Sequence, residues 1–200
     1  DAQTNTILNI GHADNDILAG GIRVVNGSEA APSLSFTNDP NTGAFTAGND
    51  CFRIATNGVA DFRVVNSVVH VNESANGKMC AGLTIQQCAA DTEILALKSS
   101  DVAHGMTGEA ETDTYGVFKK IAPAWGGLLV LGYGENEEGL YLSGRAVNTD
   151  TTKNTSADAP LALDARLKTG TGTDEVASNG NLVTISTTDT TRFIFDKEGS

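Results

Sequence analysis

Residues 31–66 read APSLSFTNDPNTGAFTAGNDCFRIATNGVADFRVVN, and they decide the fold because they hold three strand-and-turn units in 36 residues. Leu34 and Phe36 stand two residues apart, as do Phe52 and Ile54, and Phe62 and Val64. A period of two sends each pair to one face of a sheet and turns Arg53 and Arg63 to the other. Between these runs, Asn38-Asp39-Pro40-Asn41-Thr42-Gly43, Gly48-Asn49-Asp50 and Thr56-Asn57-Gly58 read as turns. Pro fixes φ, Asn and Asp close local side-chain turns, and Gly supplies positive φ. Asn57-Gly58 is the strongest hairpin signal in the chain.

Three pieces of this stretch carry a resemblance: Pro32 to Phe36, Asp39-Pro40-Asn41-Thr42-Gly43-Ala44-Phe45, and Phe52-Arg53-Ile54-Ala55-Thr56-Asn57-Gly58. Their order and spacing resemble a unit of bacteriophage tail fibres and related virion fibres. There a Pro-Ser-x-x-Phe strand runs into an Asp-x-Asn-Thr-Gly turn and then into a strand ending in Thr-Asn-Gly. A second echo lies at Thr191-Arg192-Phe193-Ile194-Phe195-Asp196, continuing to Gly199, which is similar to the Arg-Phe-x-Phe-Asp-x-x-Gly segments of the same fibres. The resemblance implies a trimeric β-rich fibre segment. It covers less than a fifth of the chain closely.

Composition points the same way. The chain has 22 Gly, 23 Thr and 16 Asn against 7 Phe, 3 Tyr and 1 Trp, which favours many short strands and tight turns. No long apolar stripe of period 3.6 runs through it, so a helical bundle or an α/β fold is excluded and all-β remains. Acidic residues number 25 against 13 Lys plus Arg, spread as −5 in the first hundred residues and −7 in the second. That is a solvated surface without the basic face that nucleic acid requires. The longest apolar run, residues 128–133, is far too short to cross a bilayer, so no membrane insertion is expected. The chain starts at Asp1 without Met or a signal peptide and ends soon after a strand, which reads as a segment of something longer.

Along the chain, strands are expected at residues 6–10, 17–18, 22–25, 67–72, 82–85, 94–97 and 115–118. Residues 126–133 and 139–144 should form a hairpin about the acidic turn Gly134-Glu135-Asn136-Glu137-Glu138, followed by strands at 161–167 and 181–185. The organisation expected is an N-terminal β repeat region over 1–72, a polar break over 73–82, and a C-terminal β meander over 83–200. Residues 99–114, 149–158 and 170–174 read as exposed loops, the first being long enough to be a functional loop or a lateral insertion.

Signatures of catalysis are weak. Gly132-Tyr133-Gly134 enters an acidic turn and no helix, and there is neither a GxSxG elbow nor an HExxH pair. Ser99, Asp101 and His104 lie too close in sequence to favour a nucleophilic triad, so His104 reads as a loop histidine. Glu109, Glu111 and Asp113 alternate in the same loop, and Glu135, Glu137 and Glu138 share a turn. Trp125, the one indole available to hold a sugar ring, is the sole aromatic of its kind, so both acidic groups read as solvated turns. Asp14-Asn15-Asp16 and residues 38–41 offer oxygen ligands for Ca²⁺, but turn formation explains them. A metal held by a column of His70 side chains on a three-fold axis is the minor alternative to a strand histidine. Cys51, Cys80 and Cys88 have no CxxC spacing and read as small packed side chains, with a Cys80–Cys88 or interchain disulfide as the alternative. No cofactor is expected.

Short strands with one or two medium apolar side chains cover themselves most economically against copies of themselves. The expected architecture is therefore elongated, either an intertwined, solenoid-like homotrimeric β fibre or a chain of small trimeric β domains; the count of three comes from the resemblance. The function implied is that of a structural, non-enzymatic virion fibre in a tail or head fibre, positioning or contributing to host attachment. Its partners would be its own copies, other fibre or baseplate proteins, and a host-surface glycan or protein. Candidate recognition residues are Asp101, His104, Glu109, Glu111 and Asp113 in one loop and Asp150, Lys153 and Asn154 in another. The alternatives are a self-assembling extracellular or cell-surface filament subunit and a polysaccharide-degrading tailspike.

Overall fold

A computed structural model describes residues 24–199. The strands expected at residues 6–10 and 17–18, the first two residues of the strand expected at 22–25, the Asp14-Asn15-Asp16 turn and His12 lie outside the described residues; Val24 and Val25 are described and are not strand. The described chain is all-β, with thirteen strands in four small sheets and no helix. It divides into two compact units at Leu140/Tyr141.

In the first unit, β1 (Leu34–Phe36), β2 (Asp39–Phe45), β3 (Cys51–Thr56), β4 (Val59–Val65), β5 (Val68–Val71) and β6 (Gly82–Ile85) form one sheet in sequence order. The first five strands are a meander of antiparallel hairpins. Asn57 and Gly58 join β3 to β4 with φ of 50° and 76°, the left-handed pair that a two-residue hairpin turn requires. Asn66 and Ser67 turn β4 into β5 in the same way, with φ of 48° and 70°. β6 then pairs parallel to β5, so residues 73–81, most of the polar stretch expected as a break, are the crossover between two neighbours of one sheet.

Residues 38–43 differ from expectation. They are largely strand, not turn, because Asp39 pairs with Phe36 of β1 and Gly43 with both Ser35 of β1 and Ala55 of β3, and the turn shrinks to Thr37-Asn38. Pairing overrides local turn preference here. Gly43 lies against β1 so closely that a Cβ on it would sit 1.9 Å from the Leu34 carbonyl oxygen.

The sheet's two faces are built differently. Cross-strand register aligns Leu34, Ala44, Ile54, Phe62, Val71 and Ile85 in one row, and Phe52, Val64, Val69 and Leu83 in the next. The opposite face carries the row Phe45, Arg53, Arg63, His70 and Thr84. Ala55 follows Arg53 onto that second face, and the register shift at Ile54/Ala55 brings Ala60 there beside it, where both pack with Phe45.

The same unit holds a second sheet, β7 (Glu93–Lys98), β8 (Thr114–Ala122) and β9 (Gly126–Gly132), all antiparallel. Ala110, Val117 and Tyr133 form its small core, with Leu131 against them. Residues 139–144 are not strand, contrary to the hairpin expected about the acidic turn. The chain does double back there, since a Cβ on Gly132 would meet the Gly139 carbonyl oxygen at 2.0 Å. β9 already has β8 as its partner, and no ladder forms on its other edge.

The second unit has two hairpins, β10 (Leu167–Thr169) with β11 (Gly172–Asp174), and β12 (Asn181–Thr187) with β13 (Thr190–Asp196). Of the strand expected at 161–167, only Leu167 is in a strand, while part of the loop expected at 170–174 is β11. Across β12 and β13, Val183 faces Phe195 and Ile185 faces Phe193.

Candidate functional site

The loop between β7 and β8, residues 99–113, is organised by its own backbone. Ser99 N–H donates to the Asp113 carbonyl at 2.9 Å, closing the loop at its base, and His104 N–H donates to the Thr112 carbonyl at 3.3 Å. Glu109 and Ala110 amides both return to the Met106 carbonyl, at 2.9 and 3.3 Å. Ala110 is thereby pressed onto Val117 and Tyr133. The loop is thus a packed lobe with its own anchor in the core.

His104 is the lobe's second fastener. Its Nδ1 accepts the Met106 N–H at 2.9 Å, which fixes the neutral tautomer with the proton on Nε2, and Nε2–H donates to the Glu111 carbonyl at 3.0 Å. The Ser99 hydroxyl bonds the Asp101 carboxylate. Neither ring nitrogen bonds Ser99, so the three residues do not assemble a nucleophile and base. The geometry is that of a structural histidine.

Carboxylates crowd this lobe. Lys98 Nζ meets both Glu111 and Asp113, the latter at 3.0 Å, and its pKa is raised by the Glu111 bond first and the Asp113 bond second. From beyond β9, Glu135 Oε1 accepts the Ala103 N–H at 2.6 Å. Beside the lobe, Asp91, Glu93, Glu109, Glu111 and Lys119 line an open groove of about 730 Å³. Burial, with Glu109 and Glu93 adding to it, pushes the Tyr133 hydroxyl pKa up, and that hydroxyl is buried without a hydrogen-bond partner. Sequence reading singled out Asp101, His104, Glu109, Glu111 and Asp113; the structure brings them into one lobe. Lys98, Tyr133 and Glu135 hold it; of these the sequence had marked Glu135 only as part of a solvated acidic turn and Tyr133 only as the end of an apolar run.

Asp150, Lys153 and Asn154 lie in the separate loop of the second unit. Asp150 accepts the Thr152 N–H at 2.8 Å and the Asp158 N–H at 2.7 Å, and its pKa falls to about 2, with the Asp158 bond the largest cause. Asn154 accepts the Ser156 N–H at 2.9 Å. Both side chains therefore shape the loop, and Lys153 stands exposed.

Trp125, at the tip of the β8–β9 hairpin, is 88 % exposed. His70 is buried on the second face of the six-stranded sheet, beside Arg63. Among the described residues no group of three His, Cys, Asp or Glu side chains is placed to hold a metal, and Cys51, Cys80 and Cys88 are free thiols. Among them, too, no helix is long and apolar enough to cross a membrane.

The other large feature is apolar exposure. Among the described residues, buried apolar side chains are few, while Leu34, Phe36, Phe52, Leu83, Leu128 and Phe193 are each about half exposed or more. Comparison with protein-family models, with curated proteins and with solved structures gave no match.

Proposed function

We propose that this chain is a segment of a homotrimeric virion fibre that positions, or contributes to, attachment to a host surface. One observation carries the reading: among the described residues, the first and last sheets each keep an apolar face uncovered, including Leu34, Phe52 and Ile54 in one and Phe193 and Phe195 in the other. Each such face costs free energy in water in proportion to its area and is relieved by burial against another. Strands of this kind, shared by three copies, give a rigid shaft without a large core in any one chain. The lobe at residues 99–113 and the loop at residues 149–158 supply polar, projecting surface for recognition, and several copies would add weak contacts into avidity.

Light scattering on the purified chain at several concentrations tests the proposal. A constant mass of three chains is expected, followed by binding to host cells or surface glycans that weakens when residues 101–111 are replaced by a Gly-Ser linker. A monomer at every concentration would overturn the reading, and a mass growing without limit would favour a filament subunit.

A further inference from the structure

Resting on the fibre reading, we infer that the six-stranded sheet meets other copies of this chain through one face only, the face carrying Leu34, Phe52, Ile54, Phe62 and Leu83. The other face is already closed from within. There Phe45, Ala55, Ala60 and His70 are 5 % exposed or less. Glu29, from the segment before β1, reaches over to Arg63 at 3.1 Å and Arg53 at 3.8 Å. Met79, from the crossover, lies over Gly82 and Thr84. The first face, by contrast, is left open by the described residues: Leu34 is 58 %, Phe52 49 % and Leu83 53 % exposed.

Charge says what covers it. Neither cross-strand row on the open face contains a charged residue, although the chain carries a net charge of −12. Identical copies bring identical charges to any contact, and like charges in contact oppose association. An uncharged face is where such copies can meet, and it offers no counter-charge to a polar or ionic partner. A second copy supplies the matching surface, the same rows seen from the other side.

The β1 edge of the sheet favours face packing over strand addition. β1 is three residues long with a bulge at Ser35/Phe36, a form that resists edge-to-edge pairing. The row from Leu34 to Ile85 crosses six strands, a span of about 24 Å at the usual strand spacing, so it is wide enough to seat another sheet.

The test is Ile54→Glu in the full chain, measured by sedimentation equilibrium beside Lys78→Glu as a charge control in an exposed loop. The expected result is loss of association in Ile54→Glu, with the dissociation constant raised at least about 100-fold, and no change in Lys78→Glu. Because Ile54→Glu could fail to fold, a second measurement uses Phe62→Cys and Ala60→Cys in a chain whose three native cysteines are serine. Oxidation should link copies through Phe62→Cys on the open face and not through Ala60→Cys on the closed one. If the wild type associates but folded Ile54→Glu associates equally, or Ala60→Cys links as readily as Phe62→Cys, the face assignment is overturned while the fibre reading stands. If the wild type is a monomer, both fall, and the open face belongs to another segment of its own chain.

Discussion

The ring of His104 lies stacked on that of Tyr133, with centroids 5.1 Å apart and planes 24° from parallel. Stacking joins the lobe to the end of β9, and the ring's two hydrogen bonds join one end of the lobe to the other. His104→Gln should therefore speed hydrogen exchange at the Met106 amide about tenfold, the worth of one lost hydrogen bond and a stacked ring. The β7–β9 amides should keep their protection, which two-dimensional NMR would resolve. Tyr133→Phe, which removes a buried hydroxyl without a partner, should leave the lobe intact and raise stability by up to about 1 kcal/mol.

Acid should loosen the loop around Asp150. Its carboxylate is the acceptor for two backbone amides, so its depressed pKa means that the charged form stabilises the loop. That contribution is complete above the ordinary value of 3.8 and is lost as pH falls through about 2. The Thr152 and Asp158 amides should lose protection across that interval. Asp150→Asn should show the loosened loop at neutral pH.

Glu29→Gln should destabilise the first sheet. Arg53 and Arg63 are directly opposite across β3 and β4 and share the Glu29 carboxylate. Glu29 is partly exposed, which limits the effect to about 1 kcal/mol. Urea denaturation should show the difference from wild type narrowing at 0.5 M salt, where repulsion between the arginines is screened.

Gly43→Ala should be more damaging, by about 1–3 kcal/mol, because the new methyl must displace the β1 backbone at Leu34. Gly58→Val should also destabilise, since a β-branched residue is strained at the φ of 76° that closes the β3–β4 turn. Circular dichroism during thermal melting would rank the two.

These positions also show what was legible in the sequence. Asn57-Gly58 and the alternation of Phe52 with Ile54 were readable because turn and strand signals agreed within a few residues. Residues 38–43 were misread because Asp, Pro, Asn and Gly state a local preference, while β1 and β3 impose the pairing from outside. The expected strand at residues 139–144 failed for the opposite reason: alternation was present, but no ladder formed beside Gly132. His104 and its acidic neighbours could be picked out by type. Their fasteners, Tyr133 and Glu135, could not, because that contact arises only when β8 and β9 pair and carry the chain back to the lobe.

The β12–β13 hairpin has a consequence for how this protein melts. Its two strands carry Phe193 and Phe195 on one side and Ile194 on the other, all half exposed or more, and two-stranded ribbons are marginal in water. Under the proposed fibre reading, in which neighbouring copies cover this ribbon, folding and assembly become one reaction, of higher order in chain concentration. The melting temperature of this end should climb with protein concentration, and refolding from denaturant should slow on dilution.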